Sequence, residues 1–266
     1  MTLRNKRFII PFEHGQAAYA VHVSRRFDPA WVAKSLNFNE PRPAIYVTGG
    51  AKEMSEEDMY ATRRIIEKGL ARFAEEQGAV VIDGGTNVGV PALVGDARRK
   101  NRYRFPLIGV APLELVRYPG YENDDGGPLN HGHSHFVLTT GDEFGDESDM
   151  ITRLTYQLSG NGQLPAFGVL INGGKVTREE VYARTTSEKF SFPLFVIEGT
   201  GRFADILARA FHAGQTDDRQ INAIITKGKL SVISISDGPE QFYEKLMAYT
   251  RSYIPSVSAD QQPETA

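Results

Sequence analysis

The chain predicts an α/β fold: a Rossmann-like, doubly wound, mostly parallel sheet with helices on both faces. Three observations carry that expectation. Its apolar runs of strand length are continuous rather than alternating, as strands covered on both faces require. Most of these runs end in a glycine-containing turn. A helical apolar period then follows, so strand and helix alternate along the chain.

The elements can be justified in order. Arg7–Phe12 and Ala18–Val23 read as strand pieces at a sheet edge, within an N-terminal extension of residues 1–42. Ala44–Gly50 reads as a buried strand that ends in a glycine turn. Ser55 then stands three residues before Asp58 as a capping hydroxyl. Met59, Ile65, Ile66, Leu70 and Phe73 mark one face of the helix behind it, and Gly78 stops it. Strand Ala79–Asp83, loop Gly84–Gly89 and a helix reaching Lys100 repeat the cycle. Strand Pro106–Ala111, a long irregular segment, strand Ser134–Thr139 and an acid-fronted helix over 146–159 come next. Strand Ala166–Asn172 precedes a helix from Thr177. Strand Pro193–Glu198, loop Gly199–Gly201 and helix Arg202–His212 follow. Strand Leu230–Ile235 and helix Pro239–Tyr253 complete a nucleotide-binding domain over 43–253. The polar tail 254–266 is expected to be disordered.

Composition removes several classes. Lys plus Arg number 30 and Asp plus Glu 33, a net charge of −3, which argues against a nucleic-acid binder. There are no cysteines, which excludes disulfides, thiolate metal sites and a cysteine nucleophile, and fits a reducing, cytoplasmic compartment. No apolar run has the length of a membrane span or a signal-peptide core, so neither is expected.

Ligands of open parallel sheets bind at the carboxyl ends of the strands. Glycine-rich turns are expected there at Thr48-Gly49-Gly50, Asp83-Gly84-Gly85-Thr86-Asn87-Val88-Gly89, Ile171-Asn-Gly-Gly174 and Glu198-Gly199-Thr200-Gly201-Arg202. Glycine lets the backbone approach a ligand, and the helix N-terminus behind each turn favours phosphate. Any one such loop is ordinarily a plain strand-to-helix turn, but the set points to an anionic ligand. No P-loop string occurs, because Val90 stands where Lys is needed. Gly199–Ala204 fits a dinucleotide fingerprint, but its strand is late in the chain and no acid clearly ends a second strand about twenty residues on, so a hydride-transfer enzyme is not favoured. His131, His133 and His135 alternate and invite a zinc reading. A hydrogen-bonded, partly buried histidine cluster is the expectation, with no metal and no cofactor. The acids of Gly141–Asp149 suit a helix N-terminus by themselves, although one of them could hold ribose or act as a base.

Four segments, in order, resemble one family. Ile82–Val90, Pro106–Pro112, His133–Leu138 and Phe195–Asp205 are similar to the SLOG (LSDAT) domain at the N-terminus of melastatin-type TRP channels, a family whose prokaryotic members are free-standing or sit beside effector domains. The resemblance runs from Pro43 to His212 or beyond. It implies a Rossmann-like fold binding a nucleotide-derived ligand of the ADP-ribose, cyclic ADP-ribose or NAD type. It assigns Gly84, Gly85, Thr86, Asn87 and Gly89 to a phosphate loop. It assigns Gly199, Thr200, Gly201 and Arg202 to a second loop, with Arg202 as the charged contact and Asp205 in the same pattern. Distant relatives of the "lonely guy" type cleave nucleoside monophosphates and carry P-G-G-x-G-T-x-x-E. That string is absent here, and Gly145-Asp-Glu147 is a faint echo of it. Two functions remain: a ligand sensor acting through a homo-oligomer or a partner effector, or an N-glycosidase with Glu147 or Glu198 as its acid. The sensor is favoured.

Overall fold

The computed structural model describes residues 5–254. From residue 255 on, the tail expected to be disordered lies outside them. In chain order the elements begin with β1 (Lys6–Pro11), β2 (Ala17–Val23), α1 (Pro29–Ser35) and β3 (Ala44–Gly49). There follow α2 (Glu56–Arg64), a π-helical segment (Ile65–Ala71), α3 (Arg72–Gln77), β4 (Val80–Asp83), α4 (Gly89–Lys100) and β5 (Leu107–Pro112). Then come a small ribbon of β6 (Val116–Arg117) and β7 (Gly127–Pro128), β8 (His135–Thr139), α5 (Ser148–Leu158) and β9 (Ala166–Ile171). The chain closes with α6 (Lys175–Thr186), β10 (Leu194–Glu198), α7 (Arg202–Ala213), α8 (Arg219–Lys227), β11 (Leu230–Ser234) and α9 (Gly238–Arg251).

Nine strands form one sheet in the order β1-β2-β8-β5-β4-β3-β9-β10-β11. Every pairing is parallel except β1 with β2, which are antiparallel and extend the sheet at one edge. The fold is therefore the α/β, mostly parallel, Rossmann-like arrangement that the continuous apolar strands predict. Helices α2 to α4 and α9 cover one face, through Ile65, Leu70, Val94 and Phe242. The other face carries α1 and α5 to α8, through Leu36, Leu154, Val181, Leu207 and Ile224. Over β1, β2, β5 and β8 the irregular segment takes the place of a helix, burying Val116 and Leu129 against Phe136 and Leu138.

Two helices go beyond the sequence reading. Helix α1 begins at Pro29, with Asp28 accepting from the N–H groups of Ala30 and Trp31 at 3.1 and 3.3 Å. Helix α8 begins after Asp218, which caps Gln220 and Ile221 at 3.0 Å. Both are short, so neither shows a long apolar period. The helix expected from Ser55 to Gly78 is present, and Ser55 accepts from Asp58 N–H at 3.0 Å, but its middle opens into a π turn.

Candidate functional site at the switch point of the sheet

From β3 the chain steps outward through β4 and β5 to β8, then returns to β9 on the other side of β3. The crevice beyond the carboxyl ends of β3 and β9 is thus the topological switch point, where open α/β sheets take ligands.

Asn172 builds that crevice. It is fully buried and adopts a left-handed φ of +55°. Its Nδ2 donates to Thr200 O at 2.7 Å and to Lys52 O at 3.3 Å, while its own N–H donates to Thr200 Oγ1 at 2.7 Å. One side chain thereby fastens the loops after β3, β9 and β10 together. The carbonyls of Asn172 and Gly173 accept from Ala204 and Phe203 N–H at 2.9 and 3.2 Å. This corrects one expectation: the second and third N–H groups of α7 already serve the protein and are not offered to phosphate. Thr200 is likewise buried and occupied, its Oγ1 donating to Ile197 O at 2.7 Å.

Arg202 opens α7 in a left-handed conformation, φ +49°, which costs a non-glycine residue about 1 kcal/mol or more. Its guanidinium lies over Gly174: a Cβ there would stand 3.0 Å from Nη2. Asp205 does not pair with it. Instead Asp205 accepts from Gly199 N–H at 2.7 Å. Among the described residues the Arg202 guanidinium has no hydrogen bond and no ion pair. Gly201 faces Asn172 Nδ2, and Gly199 faces Ile235.

The loop after β4 divides in two. Gly85 donates its N–H to Asp83 Oδ1 at 2.7 Å, and its carbonyl accepts from Asn130 N–H at 2.9 Å. A Cβ on Gly85 would stand 2.7 Å from Gly109 Cα, so glycine is needed here by β5. Thr86 bridges to Leu129, while Asn87 donates its N–H to Pro128 O at 2.7 Å and accepts from Asn130 Nδ2 at 2.8 Å. Gly84 is different: its Cβ direction meets only Pro91 Cγ, at 3.8 Å. On β3, Gly49 abuts the Ile171 carbonyl, whereas Gly50 faces open space with Asn172 Oδ1 at 3.9 Å. The Cβ direction of Gly89 comes within 3.8 Å of Gly50 Cα, so these two loops adjoin. Gly50, Gly84, Gly89, Gly174 and Arg202 therefore keep surface toward the mouth. Exposed Val88 (65 %), Phe144 (53 %) and Val176 (42 %) stand on the loops and the helix start around it.

Beneath the mouth lies a polar cluster that sequence reasoning missed. Glu180 of α6 accepts from Thr48 Oγ1 at 2.5 Å and from Ser148 Oγ, and pairs with Arg184 at 3.4 Å. Arg184 is 1 % exposed, donates to Thr152 Oγ1 at 2.9 Å and lies 4.8 Å from the Tyr46 ring centre. Among the described residues its Nη1 and the Tyr46 hydroxyl are buried without a hydrogen-bond partner. Burial raises the Tyr46 hydroxyl well above its ordinary pKa. Glu147, 7 % exposed, precedes α5 and accepts from Gly145 N–H at 2.8 Å. Burial, reinforced by the Glu180 charge, pushes its carboxyl up to about 7. Glu198 is elsewhere, paired with His212 at 3.2 Å. A signal for Glu180 was present: Asn172-Gly-Gly-Lys-Val-Thr-Arg-Glu-Glu180 keeps two glycines, the threonine and the last glutamate of P-G-G-x-G-T-x-x-E, with Asn for Pro and Val for Gly.

The three imidazoles have three different surroundings. His133 is buried and bonds Asp83 Oδ1 at 2.8 Å through Nε2, bracing the β4 turn. His135 bonds Ser134 Oγ at 2.8 Å and packs on Phe38 and Tyr19, where burial lowers its pKa to about 4. His131 lines a cavity at the side of the sheet. Among the described residues no group of three or more His, Cys, Asp or Glu is placed to hold a metal ion.

Comparison with known proteins agrees with this architecture. The chain is 27 % identical over 257 residues to a transient receptor potential channel of Caenorhabditis elegans, which covers 85 % of the chain but 12 % of the channel. It is 28 % identical over 231 residues to the subfamily M member-like 2 cation channel of Nematostella vectensis, covering 72 % of the chain and 15 % of that protein. For the subfamily M member 2 channel of Rattus norvegicus the identity is 28 % over 204 residues, 64 % of the chain and 13 % of the channel. The chain thus spans less than a sixth of each of these channels. Among the described residues no helix is long and apolar enough to cross a membrane. The family described as SLOG in TRPM, prokaryote, matches residues 42–244, which take in every strand from β3 to β11 and the whole switch-point crevice, and the chain belongs to it.

Proposed function

We propose that this chain is a binding and sensing module for a nucleotide-derived ligand of the ADP-ribose, cyclic ADP-ribose or NAD type, held in the switch-point crevice. The observation that carries the reading is Arg202. A cation at a helix N-terminus is disfavoured by the helix dipole, and a left-handed φ adds strain. Asp205, which could have offset that cost, is committed to Gly199 N–H. A ligand phosphate would supply the missing anion through a bidentate, charge-assisted contact. Gly50, Gly84 and Gly89 would let it approach the backbone, and the N-terminus of α6 would add its partial positive charge. Phe144, Val88 and Val176 would offer apolar surface to a base. Calorimetric titration with ADP-ribose, NAD and AMP tests the reading. Saturable binding of at least one of them to the wild-type chain is expected, and binding of none would overturn it.

A second reading, an N-glycosidase, is favoured by one observation: Glu147, with a pKa near 7, stands beside the charge of Glu180. A protonated Glu147 could donate to the departing base while Glu180 stabilises positive charge at the ribose carbon that water attacks. The C–N bond breaks and water supplies the hydroxyl. Adenine leaves with the proton of Glu147, which the water's remaining proton replaces, whereas nicotinamide, cationic while joined to ribose, leaves neutral and the water's proton passes to solvent. Chromatography of the same three mixtures separates the readings. The sensor leaves each compound intact, whereas the hydrolase releases nicotinamide or adenine.

A further inference from the structure

A cavity of about 470 Å³ lies at the side of the sheet, away from the crevice. The irregular segment between β5 and β8 forms one wall, the end of β1 a second, and the last turn of α4 a third. Arg99 is ten residues along α4 from Gly89, so the cavity and the crevice mouth are about 15 Å apart along that helix.

Its lining has two kinds of surface. Phe12, Tyr118 and Leu129 give an apolar wall, and Tyr118 is held firm by stacking on Tyr121 at 5.3 Å and Phe8 at 6.1 Å. Arg99, Arg117 and His131 supply donors on the polar side, and Glu13 and Glu122 supply two carboxylates there. These cations are lightly used. Arg99 reaches Asp96 only at 3.9 Å, Arg117 donates to Gly126 O, and among the described residues His131 has no hydrogen bond or ion pair. An aromatic wall beside two guanidinium groups suits a planar ring that bears an anion, the two carboxylates suit hydroxyl donors on the same molecule, and the volume suits a molecule of mononucleotide size.

We infer that this cavity is a second ligand site, for an aromatic anion of mononucleotide size such as a nucleoside monophosphate. The site shares a wall with the β4 loop. Pro128 and Leu129, which line it, are the residues that hold Asn87 and Thr86 from behind, and Asn130 between Leu129 and His131 holds Gly85. A ligand here therefore touches the support of the crevice without entering it.

The test uses the full chain and 5′-AMP, with adenosine and inorganic phosphate as separate arms. Arg202→Ala is the background, so that the proposed crevice contact is removed while the cavity is left whole. Saturable binding of 5′-AMP is expected to persist in that variant at millimolar concentration, with amide shifts at Tyr118, Leu129 and His131 in protein NMR. Adenosine and phosphate alone should each bind about tenfold more weakly or worse, since each lacks one half of the recognition. Adding Arg99→Ala and His131→Ala should weaken 5′-AMP by a further tenfold or so, with an unchanged circular-dichroism melt. Shifts confined to Gly50, Gly84 and Gly174, or affinity unmoved by Arg99→Ala and His131→Ala, would overturn the second site. The first of those outcomes would still leave the crevice reading standing.

Discussion

Glycines that look equivalent in the sequence do different work. Gly85 is needed by β5: φ is +69° and a Cβ would press on Gly109. Gly85→Ala is expected to cost about 1–3 kcal/mol of stability, by denaturant unfolding, from strain and overpacking together. Gly84→Ala and Gly50→Ala meet open space, so both should melt like the wild type yet lose ligand affinity in the titration above. If all three variants melt alike, the division of the loop is refuted. Glu147 gives a pH signature. Its carboxyl titrates near 7 in the native chain against an ordinary value of 4.5, so the native state holds the extra proton between those values. Stability from this group is full below pH 4.5 and falls as pH rises toward 7, by on the order of 3 kcal/mol. His135 acts in the opposite sense: its lowered pKa means that stability is lost as pH falls from 6.5 toward 4. Glu147→Gln should therefore be more stable than the wild type at pH 8, with the gap closing toward pH 5. Parallel unfolding curves across that range would contradict the assignment.

Single elements were legible wherever their own residues carry the signal. Continuous apolar runs marked β3, β4, β5, β8, β9 and β10, because a buried parallel strand needs no partner to be recognised. The edge strand β11, in which Ile233 alone is buried, was marked by Leu230, Val232 and Ile233 ahead of a helical period. Helices α1 and α8 escaped, although Asp28-Pro29 and Asp218 are ordinary start signals, because seven and nine residues give too little periodicity to read. The π segment was illegible for another reason: it answers to packing from far along the chain. Gly69 lies in it, and a Cβ there would stand 2.7 Å from Phe242 Cδ1 of α9. Alanine favours a helix over glycine by about 1 kcal/mol, yet Gly69→Ala is expected to destabilise by ~1–3 kcal/mol through overpacking. A gain in unfolding midpoint would show that α9 yields there. Adding Phe242→Leu should recover part of the loss if the ring is the obstacle.

At the scale of the whole molecule, the alternation of strands and helices told the sheet type, but strand order came only with the structure. That order decides which loops share the crevice. It brings Arg202 over Gly174, joins the β3, β9 and β10 loops through Asn172, and folds Glu180 and Arg184 of α6 under β3 beside Glu147. None of these pairings is local, so the sequence showed the glycine turns without showing which of them are spent on one another. Arg202 is where the architecture and the proposed ligand meet, and titration of ADP-ribose into the wild type, Arg202→Lys and Arg202→Ala tests the proposal most directly. Arg202→Ala should lose ~1.5–3 kcal/mol of affinity, about 10- to 150-fold, with its melting temperature unchanged. Arg202→Lys should recover only part, because lysine lacks the planar fork. Wild-type affinity in Arg202→Ala would contradict a ligand phosphate at this arginine.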